Sequence, residues 1–268
     1  MQTVNSPAPP KKYERVFAEF TVYMIQTMAD QFSKTAIEGL NKATVEKFED
    51  AQIGNYAAIF LSLAKKAKAR LLDKFDDKRI EDIVKSTFGK IDKENQTKIY
   101  SAIEAAMGIN MKVLIAKEAA SQQISALILE TAQWAKKLRD ETLEAFTANT
   151  LRGMTLGNPL ETIMSDFKAV TSTRKNAAKF VARNQVASFN GLVTKIRHQK
   201  IGIEEGIWVT SHDERVRKCH IARDGKQFKL VEGLYSSCDG KTLLPGIDYQ
   251  CRCTYKAIIP DFEDIEAN

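Results

Sequence analysis

The feature that most constrains the fold is an apolar periodicity of three to four residues, which runs from Tyr13 to about Lys200. Near its start, Phe17, Met24 and Phe32 recur at the spacing of a single helix face. The same region is rich in Ala, Leu, Lys, Glu and Gln, residues that favour helices. Such a stripe is typical of a core or helix-partner seam. The sequence therefore predicts a long helical N-terminal region.

Two glycines and a proline interrupt this pattern within residues 151–159 and predict a break between helices there. Asn158 is suited to an N-cap, and Pro159 is suited to the first position of the helix that follows. We expect another helix to begin at Ser172 or Thr173, because short polar side chains favour helix starts.

After Gly202 glycines and aromatic residues become frequent, and short β-prone stretches occur at 207–210 and 254–259. The predicted fold class is mainly α, with a long helical N-terminal region followed by a small α+β C-terminal module that contains cysteines and histidines. The expected divisions are a flexible N-terminus (1–12), a helical region (13–150) in which 108–148 can form one extended helix, a helical connecting segment (151–200) and the C-terminal module (201–268).

The proline-rich N-terminus lacks the apolar core of a secretory signal, so nothing in it predicts export. No apolar run approaches the roughly 18 residues needed to cross a bilayer. We therefore expect a protein that is not embedded in a membrane.

The net charge of +6 is unevenly distributed, and the surplus lies in residues 151–200, which hold nine Lys and Arg against two acidic residues. Such a density attracts phosphates or an acidic protein surface. The candidate contacts for nucleic acid or a partner are Arg174, Lys175, Lys179, Arg183, Lys195 and Arg197. The alternative is a solvated helix face, since few aromatic side chains that could stack on bases accompany these residues.

All four cysteines lie in the C-terminal module, and this clustering is the sharpest chemical signal in the chain. In Cys251-Arg252-Cys253 an extended backbone places both thiols on one face, where they can bind one ion and where a disulfide between them is disfavoured. The predicted ligands of a structural zinc ion are His220, Cys238, Cys251 and Cys253, with Cys219 and Asp248 as alternatives. The competing interpretation is that the cysteines are small buried hydrophobes and that His220 is a core histidine.

The string that runs from Trp208 to Arg217 is best explained by turn chemistry and ion pairing. Asp213 can cap a turn through its own carboxylate, and Arg215 or Arg217 can form a forked contact with a carboxylate or phosphate. His212 is expected to be a surface or turn residue and not a catalytic base.

The motifs of the C-terminal module follow one another in a defined order. They are Trp208-x-Thr210-Ser211-x-Asp213-x-Arg215-x-Arg217-x-x-His220, Asp224-Gly225-Lys226-x-Phe228, Pro245-Gly246 and Cys251-Arg252-Cys253. In this order and spacing they resemble the phage Mu protein F-like minor head protein family. Upstream, Ala182-Arg183-Asn184-Gln185 resembles the Ala-Arg-Thr-Glu helix motif of the family, with Asn and Gln in place of Thr and Glu. The resemblance covers about Gly153 to Ile259.

The resemblance implies a low-copy phage head protein that associates with the portal and acts in head assembly, DNA packaging or early DNA delivery. The implied partners are the portal protein, other head proteins and DNA. The implied location is the virion, in the capsid interior or near the portal, and the host cytoplasm during assembly. No enzymatic activity follows from it. Related sequences can carry Cys at the position of Arg217 and His at that of Asp248, so this chain departs from the fuller metal set at both.

Two other functions are open at this level. The first is a zinc-dependent nuclease or toxin-like effector, in which His212, Asp213 and His220 would activate water. The second is a general DNA-binding protein that uses residues 151–200.

Overall fold

The structure is a computed structural model that describes residues 2–45, 53–108 and 121–260. Its helices are α1 (Lys11–Phe32), a π-helical turn (Ser33–Ile37), α2 (Glu38–Val45), α3 (Ile53–Lys74), α4 (Asp77–Met107), α5 (Ser121–Thr155), α6 (Leu160–Lys200) and α7 (Lys218–Ile221). Its strands are β1 (Gln2–Asn5), β2 (Glu205–Val209), β3 (Gln227–Lys229), β4 (Leu234–Ser236), β5 (Lys241–Leu243) and β6 (Thr254–Ile259). The predicted fold class is confirmed. None of these helices has an apolar stretch long enough to cross a bilayer.

The chain divides into two compact units, each built from separate stretches of sequence. The helical unit comprises Val16–Val84 and Thr131–Ala182. The sheet unit comprises Met1–Arg15, Lys85–Glu130 and Arg183–Asn268. The contiguous divisions at 150 and 200 that the sequence suggested stay a prediction.

Aromatic side chains form the centre of the helical unit. Phe32 lies with its ring centroid 6.3 Å from that of Phe60, 5.7 Å from that of Phe146 and 5.9 Å from that of Phe167. The rings of Phe146 and Phe167 are 4.7 Å apart. Together with buried Met24, these side chains confirm that the apolar stripe of α1 is a core seam.

The predicted break after α5 is confirmed. Helix α5 ends at Thr155 and α6 begins at Leu160. Gly157 has a φ of +69°, in the left-handed region that glycine adopts without steric cost. Residues 109–120, which belong to the extended helix predicted for 108–148, lie outside the described residues.

The helix start predicted at Ser172 or Thr173 is wrong, because α6 passes through both residues without interruption. The hydroxyl of Thr173 donates to the carbonyl oxygen of Ala169 (3.1 Å), four residues earlier in the same helix. A hydroxyl engaged in this way does not cap a new helix, since it bonds to the preceding turn.

The sheet unit contains a four-stranded antiparallel sheet in the order β1-β6-β2-β3. Alternate residues of β6 point into the core, among them Tyr255 and Ala257. Tyr255 pairs with Trp208 of β2, and both belong to a core cluster that includes Ile99 and Ile103 of α4. Strands β4 and β5 form a separate two-stranded sheet.

The N-terminus departs from the flexible segment expected for residues 1–12. Val4 of β1 is buried and pairs with Ala257 of β6. The backbone N–H of Ser6 donates to the carbonyl oxygen of Tyr255 (2.9 Å), and the Asn190 side chain donates to the carbonyl oxygen of Pro7 (2.8 Å). A single apolar residue and backbone hydrogen bonds thus hold this segment in place, and neither leaves a pattern in the sequence.

Candidate metal centre

Three of the four predicted metal ligands meet in the sheet unit. His220 lies on α7, while Cys251 and Cys253 directly precede β6. The Nδ1 atom of His220 lies 3.4 Å from the Sγ atom of each cysteine. The three potential ligand atoms lie within 4.8 Å of one another, and all three residues are at most 4% exposed.

The loop that carries the two cysteines is shaped by backbone contacts on either side. The N–H of Cys251 donates to the carbonyl oxygen of Asp248 (2.8 Å) and closes a turn. Gln250 has a φ of +54°, and its N–H donates to the side-chain oxygen of Asn184 on α6 (3.0 Å). Asn184 belongs to the Ala-Arg-Asn-Gln motif, so that motif anchors the Cys-x-Cys loop.

Asp248 acts on the imidazole and is not part of the ligand cluster. Its Oδ2 atom lies 3.2 Å from Nε2 of His220 and 2.7 Å from a guanidinium nitrogen of Arg217. A carboxylate on Nε2 favours a proton there, and a His220 in this state would have the lone pair of Nδ1 available to a metal ion on the side of the thiols. An ion pair thus joins Arg217 and Asp248, the two positions at which the sequence departs from the fuller metal set that the family resemblance implies.

The two thiols influence each other more than any other group does. A hydrogen bond from Cys253, supported by His220 and by the backbone N–H of Cys253, lowers the pKa of Cys251. The same contact with Cys251, together with burial, raises the pKa of Cys253. The pair therefore gives up one proton readily and retains the second, as expected of two adjacent groups that cannot both become anions without a cation.

The indole N–H of Trp208 is placed to stabilise a thiolate at Cys253. Trp208 packs edge-on against His220, with ring centroids 5.8 Å apart. Among the described residues, its Nε1 atom is buried without an acceptor at hydrogen-bond distance. This N–H still lowers the pKa of Cys253, against the larger raising effect of Cys251. A Cys253 thiolate, which metal binding requires, would give the N–H a strong acceptor.

The donor set fits a soft divalent cation. Two thiolates and one imidazole are ligands that Zn²⁺ prefers, and the carboxylate on the distal imidazole nitrogen is a common support of such sites. The cluster can therefore hold a metal ion, with three ligands from the protein. All three ligand side chains are buried, so an ion held there would lie away from solvent.

Cys238, the fourth predicted ligand, is excluded by a disulfide. It is bonded to Cys219, with an S–S distance of 2.05 Å and a Cα–Cα distance of 5.3 Å. A sulfur in a disulfide offers no thiolate to a metal, so Cys219 is excluded as an alternative as well. The prediction was wrong because the clustering of cysteines in the sequence does not show which pairs the fold brings within disulfide reach.

Arg223, which no sequence motif indicated, organises the surroundings of this disulfide. Its buried guanidinium donates to both carboxylate oxygens of Asp239, at 2.9 and 3.0 Å. It also donates to three backbone carbonyl groups, those of Leu234 (3.1 Å), Cys219 (3.1 Å) and Lys241 (2.7 Å). The guanidinium carbon lies 5.6 Å from the centre of the Trp208 ring, on the tryptophan that contacts His220.

The predicted turn at Asp213 and the surface position of His212 are confirmed, whereas the forked contact predicted for Arg215 or Arg217 is made by Arg252 instead. Asp213 accepts the backbone N–H of Arg215 (3.0 Å) and closes the expected turn. His212 is exposed, with a φ of +50°. The forked partner of Asp213 is Arg252, the central residue of the Cys-x-Cys motif.

Residues 144–256 match the family model described as Phage Mu protein F like protein. The chain carries a phage Mu protein F-like region. This region contains the His/Cys cluster, the disulfide and Arg223, so the family resemblance seen in the sequence is confirmed over the residues that form the site.

An uncharacterized protein of Haemophilus influenzae (strain ATCC 51907 / DSM 11121 / KW20 / Rd) is 24% identical over 270 residues. The alignment covers 98% of this chain and 59% of that protein, so the chain spans about three fifths of the length of this relative. No solved structure matches the chain.

The six basic residues predicted for nucleic-acid contact do not form a free patch within the Mu F-like region. Arg197 is 2% exposed and pairs with Asp92 (2.6 Å), so its prediction as an accessible contact is wrong. Three more of the six residues contact a side-chain partner: Arg174 contacts Glu141 (3.6 Å), Lys175 contacts Gln26 (2.9 Å) and Arg183 contacts Glu14 (2.7 Å). Burial lowers the pKa of Lys195. Lys179 is exposed, and its role stays a prediction.

We predict that acid weakens the C-terminal module through Asp239. The hydrogen bond from Arg223 lowers the pKa of Asp239 to about 2. A carboxyl whose folded pKa is depressed contributes stability above its unfolded value, near 4, and loses it as the pH falls through about 2. The urea midpoint should therefore fall between these two pH values, and Asp239→Asn should flatten this dependence. Fluorescence of Trp208 in a Trp134→Phe background reports the transition.

Glu214→Gln is the matched control, because Glu214 is an exposed carboxylate of the same module. It should retain the pH dependence of the parent. An Asp239→Asn variant whose urea midpoint falls as steeply as that of the parent would contradict the assignment.

Proposed function

We propose that this chain is a minor head protein of a phage, associated with the portal and active in head morphogenesis, DNA packaging or DNA delivery. The observation that carries the proposal is the match of residues 144–256 to the Phage Mu protein F like family, which includes every residue of the His/Cys cluster. In this role the partners are the portal protein and other head proteins. The location is the virion, in the capsid interior or near the portal, and the host cytoplasm during assembly.

The geometry of the cluster favours a structural role over the zinc-dependent nuclease considered from the sequence. His220, Cys251 and Cys253 are at most 4% exposed, so a scissile phosphate has no access to an ion held there. Asp213 is occupied by the forked contact of Arg252, and His212 lies on the surface near Thr210 and Asp224. A hydrolytic metal site needs an open coordination position that faces the substrate.

The composition of purified phage heads tests the head assignment. Mass spectrometry of heads purified from the phage that encodes this chain should detect it at low copy relative to the major capsid protein, and cross-linking should join it to the portal. Absence from the heads and from their assembly intermediates would contradict the proposal. Presence in heads with cross-links only to other proteins would contradict the portal association.

We further propose that the cluster binds zinc in the folded protein. Purified under reducing conditions and supplied with zinc, the parent chain should retain about one ion per chain after desalting, since thiolate and imidazole ligands hold zinc tightly. Replacement by cobalt(II) should give the absorption of thiolate-to-metal charge transfer. Both signals should be lost in Cys251→Ser/Cys253→Ser and in His220→Ala.

The control is His212→Ala, which removes an exposed imidazole from the same module and should retain the metal. Zinc content near zero in the parent would reduce the cluster to packing. Equal zinc content in the parent and in Cys251→Ser/Cys253→Ser would place the ion elsewhere.

A further inference from the structure

We propose that a cationic groove in the helical unit binds the phosphate backbone of nucleic acid. The groove has a volume of about 640 Å³ and is lined by Gln31, Lys34, Thr35, Ala67, Arg70 and Lys74. Gln31 lies near the end of α1, Lys34 and Thr35 lie on the π-helical turn, and the other three residues lie on α3. None of these residues belongs to the matched region 144–256 or to the basic segment 151–200.

Among the described residues, no acidic side chain neutralises the charge of the groove. No carboxylate lines it, and within the parts of the chain that the structure describes the side chains of Lys34, Arg70 and Lys74 have neither an ion pair nor a hydrogen bond. Arg70 and Lys74 are four residues apart on α3, where like charges face each other and disfavour the helix. Helix α3 holds five basic residues against one acidic residue. An anion in the groove would relieve this repulsion.

The types of donor favour phosphate. Ammonium, guanidinium, amide and hydroxyl groups are the side-chain donors that contact nucleic-acid phosphates, and the lining offers all four. No aromatic side chain is present to stack on a base, and Ala67 provides the apolar part of the lining. An acidic protein partner would need a larger apolar anchor than one alanine. Binding should therefore follow the backbone and be independent of base sequence.

The π-helical turn positions part of this lining. Single π turns within helices recur at functional sites. Here the turn places exposed Lys34 at the groove while its neighbours Ala36 and Ile37 are buried. Lys34 thereby joins Arg70 and Lys74, which are distant in sequence.

The basic residues of α6 are less suited to phosphate binding than the basic residues of this groove. Arg174, Arg183 and Arg197 each have a carboxylate partner, and Lys175 is bonded to Gln26. A paired cation must exchange its partner for a phosphate and gains less from binding than an unpaired cation does. The groove is therefore the better phosphate site, whether or not the chain acts in a phage head.

The test is salt-dependent binding of the full chain to a short fluorescent DNA duplex of mixed sequence. The logarithm of the binding constant should fall steeply with the logarithm of salt concentration, by about 0.9 for each phosphate contact. In Lys34→Gln/Arg70→Gln/Lys74→Gln this slope should become less steep by about 2.7. If the triple variant does not fold by circular dichroism, Arg70→Gln alone should reduce the slope by about 0.9.

The matched control is Lys90→Gln/Lys226→Gln/Lys256→Gln, which removes the same charge from exposed positions outside both the groove and the basic segment 151–200. It should keep the slope of the parent. Equal loss in both triple variants, or no binding by the parent, would overturn the proposal. Competition by poly-glutamate at a lower concentration of charge than unlabelled duplex would also overturn it, in favour of an acidic protein partner.

Discussion

The buried guanidinium of Arg223 is the interaction on which the rest of the C-terminal module depends. A buried guanidinium needs a counter-charge and an acceptor for its N–H groups. Asp239 supplies the counter-charge of Arg223, and Asp239 and three backbone carbonyl groups accept its hydrogen bonds. Two of these partners adjoin the disulfide, since Cys219 supplies a carbonyl and Asp239 follows Cys238. The arginine and the disulfide thus fix the same two segments. Trp208 lies against the guanidinium of Arg223 and contacts His220, so Arg223 also helps to position the imidazole.

This arrangement supports the proposal that the His/Cys cluster has a structural role. Asp248 lies against the distal nitrogen of His220, and the other nitrogen faces two buried thiols. Their mutual contact lowers the pKa of Cys251 and raises that of Cys253, so the second thiol loses its proton less readily than the first. Arg217 and Asp248, the two positions at which the sequence departs from the fuller metal set implied by the family resemblance, form an ion pair with each other.

The parts of the structure that follow local rules could be predicted from the sequence. Apolar periodicity indicated the long helices, and the spacing of Cys251 and Cys253 indicated that both thiols share a face. The parts that depend on contacts between distant segments could not be predicted. The residue type of Cys238 suggested a metal ligand, but the fold places Cys238 beside Cys219, with which it forms a disulfide. The sequence alone does not distinguish Arg223 among the 40 Lys and Arg residues, because its carboxylate and carbonyl partners become known only from the fold.

The same distinction applies to the basic residues. Counting charge along the chain pointed to residues 151–200, whereas the fold turns Arg197 inward towards Asp92. In the described part of the chain, Lys34, Arg70 and Lys74 share a groove and have no side-chain partner there. Charge density in sequence does not report whether a cation is already neutralised. Pairing is a property of the packed helices, and it separates cations that stabilise the fold from those that remain available to a ligand.

The most direct measurement of the role of Arg223 is the rate at which Cys251 and Cys253, the two free thiols, react with iodoacetamide in metal-free buffer. In the parent chain both thiols should react slowly, because labelling requires the module to open. Arg223→Met should raise the rate by about tenfold or more, since each buried carbonyl left without a donor costs about 1–3 kcal/mol. Lys226→Met, an exposed substitution in the same module, should leave the rate unchanged. If the thiols of Arg223→Met react as slowly as those of the parent chain, the C-terminal module does not depend on Arg223.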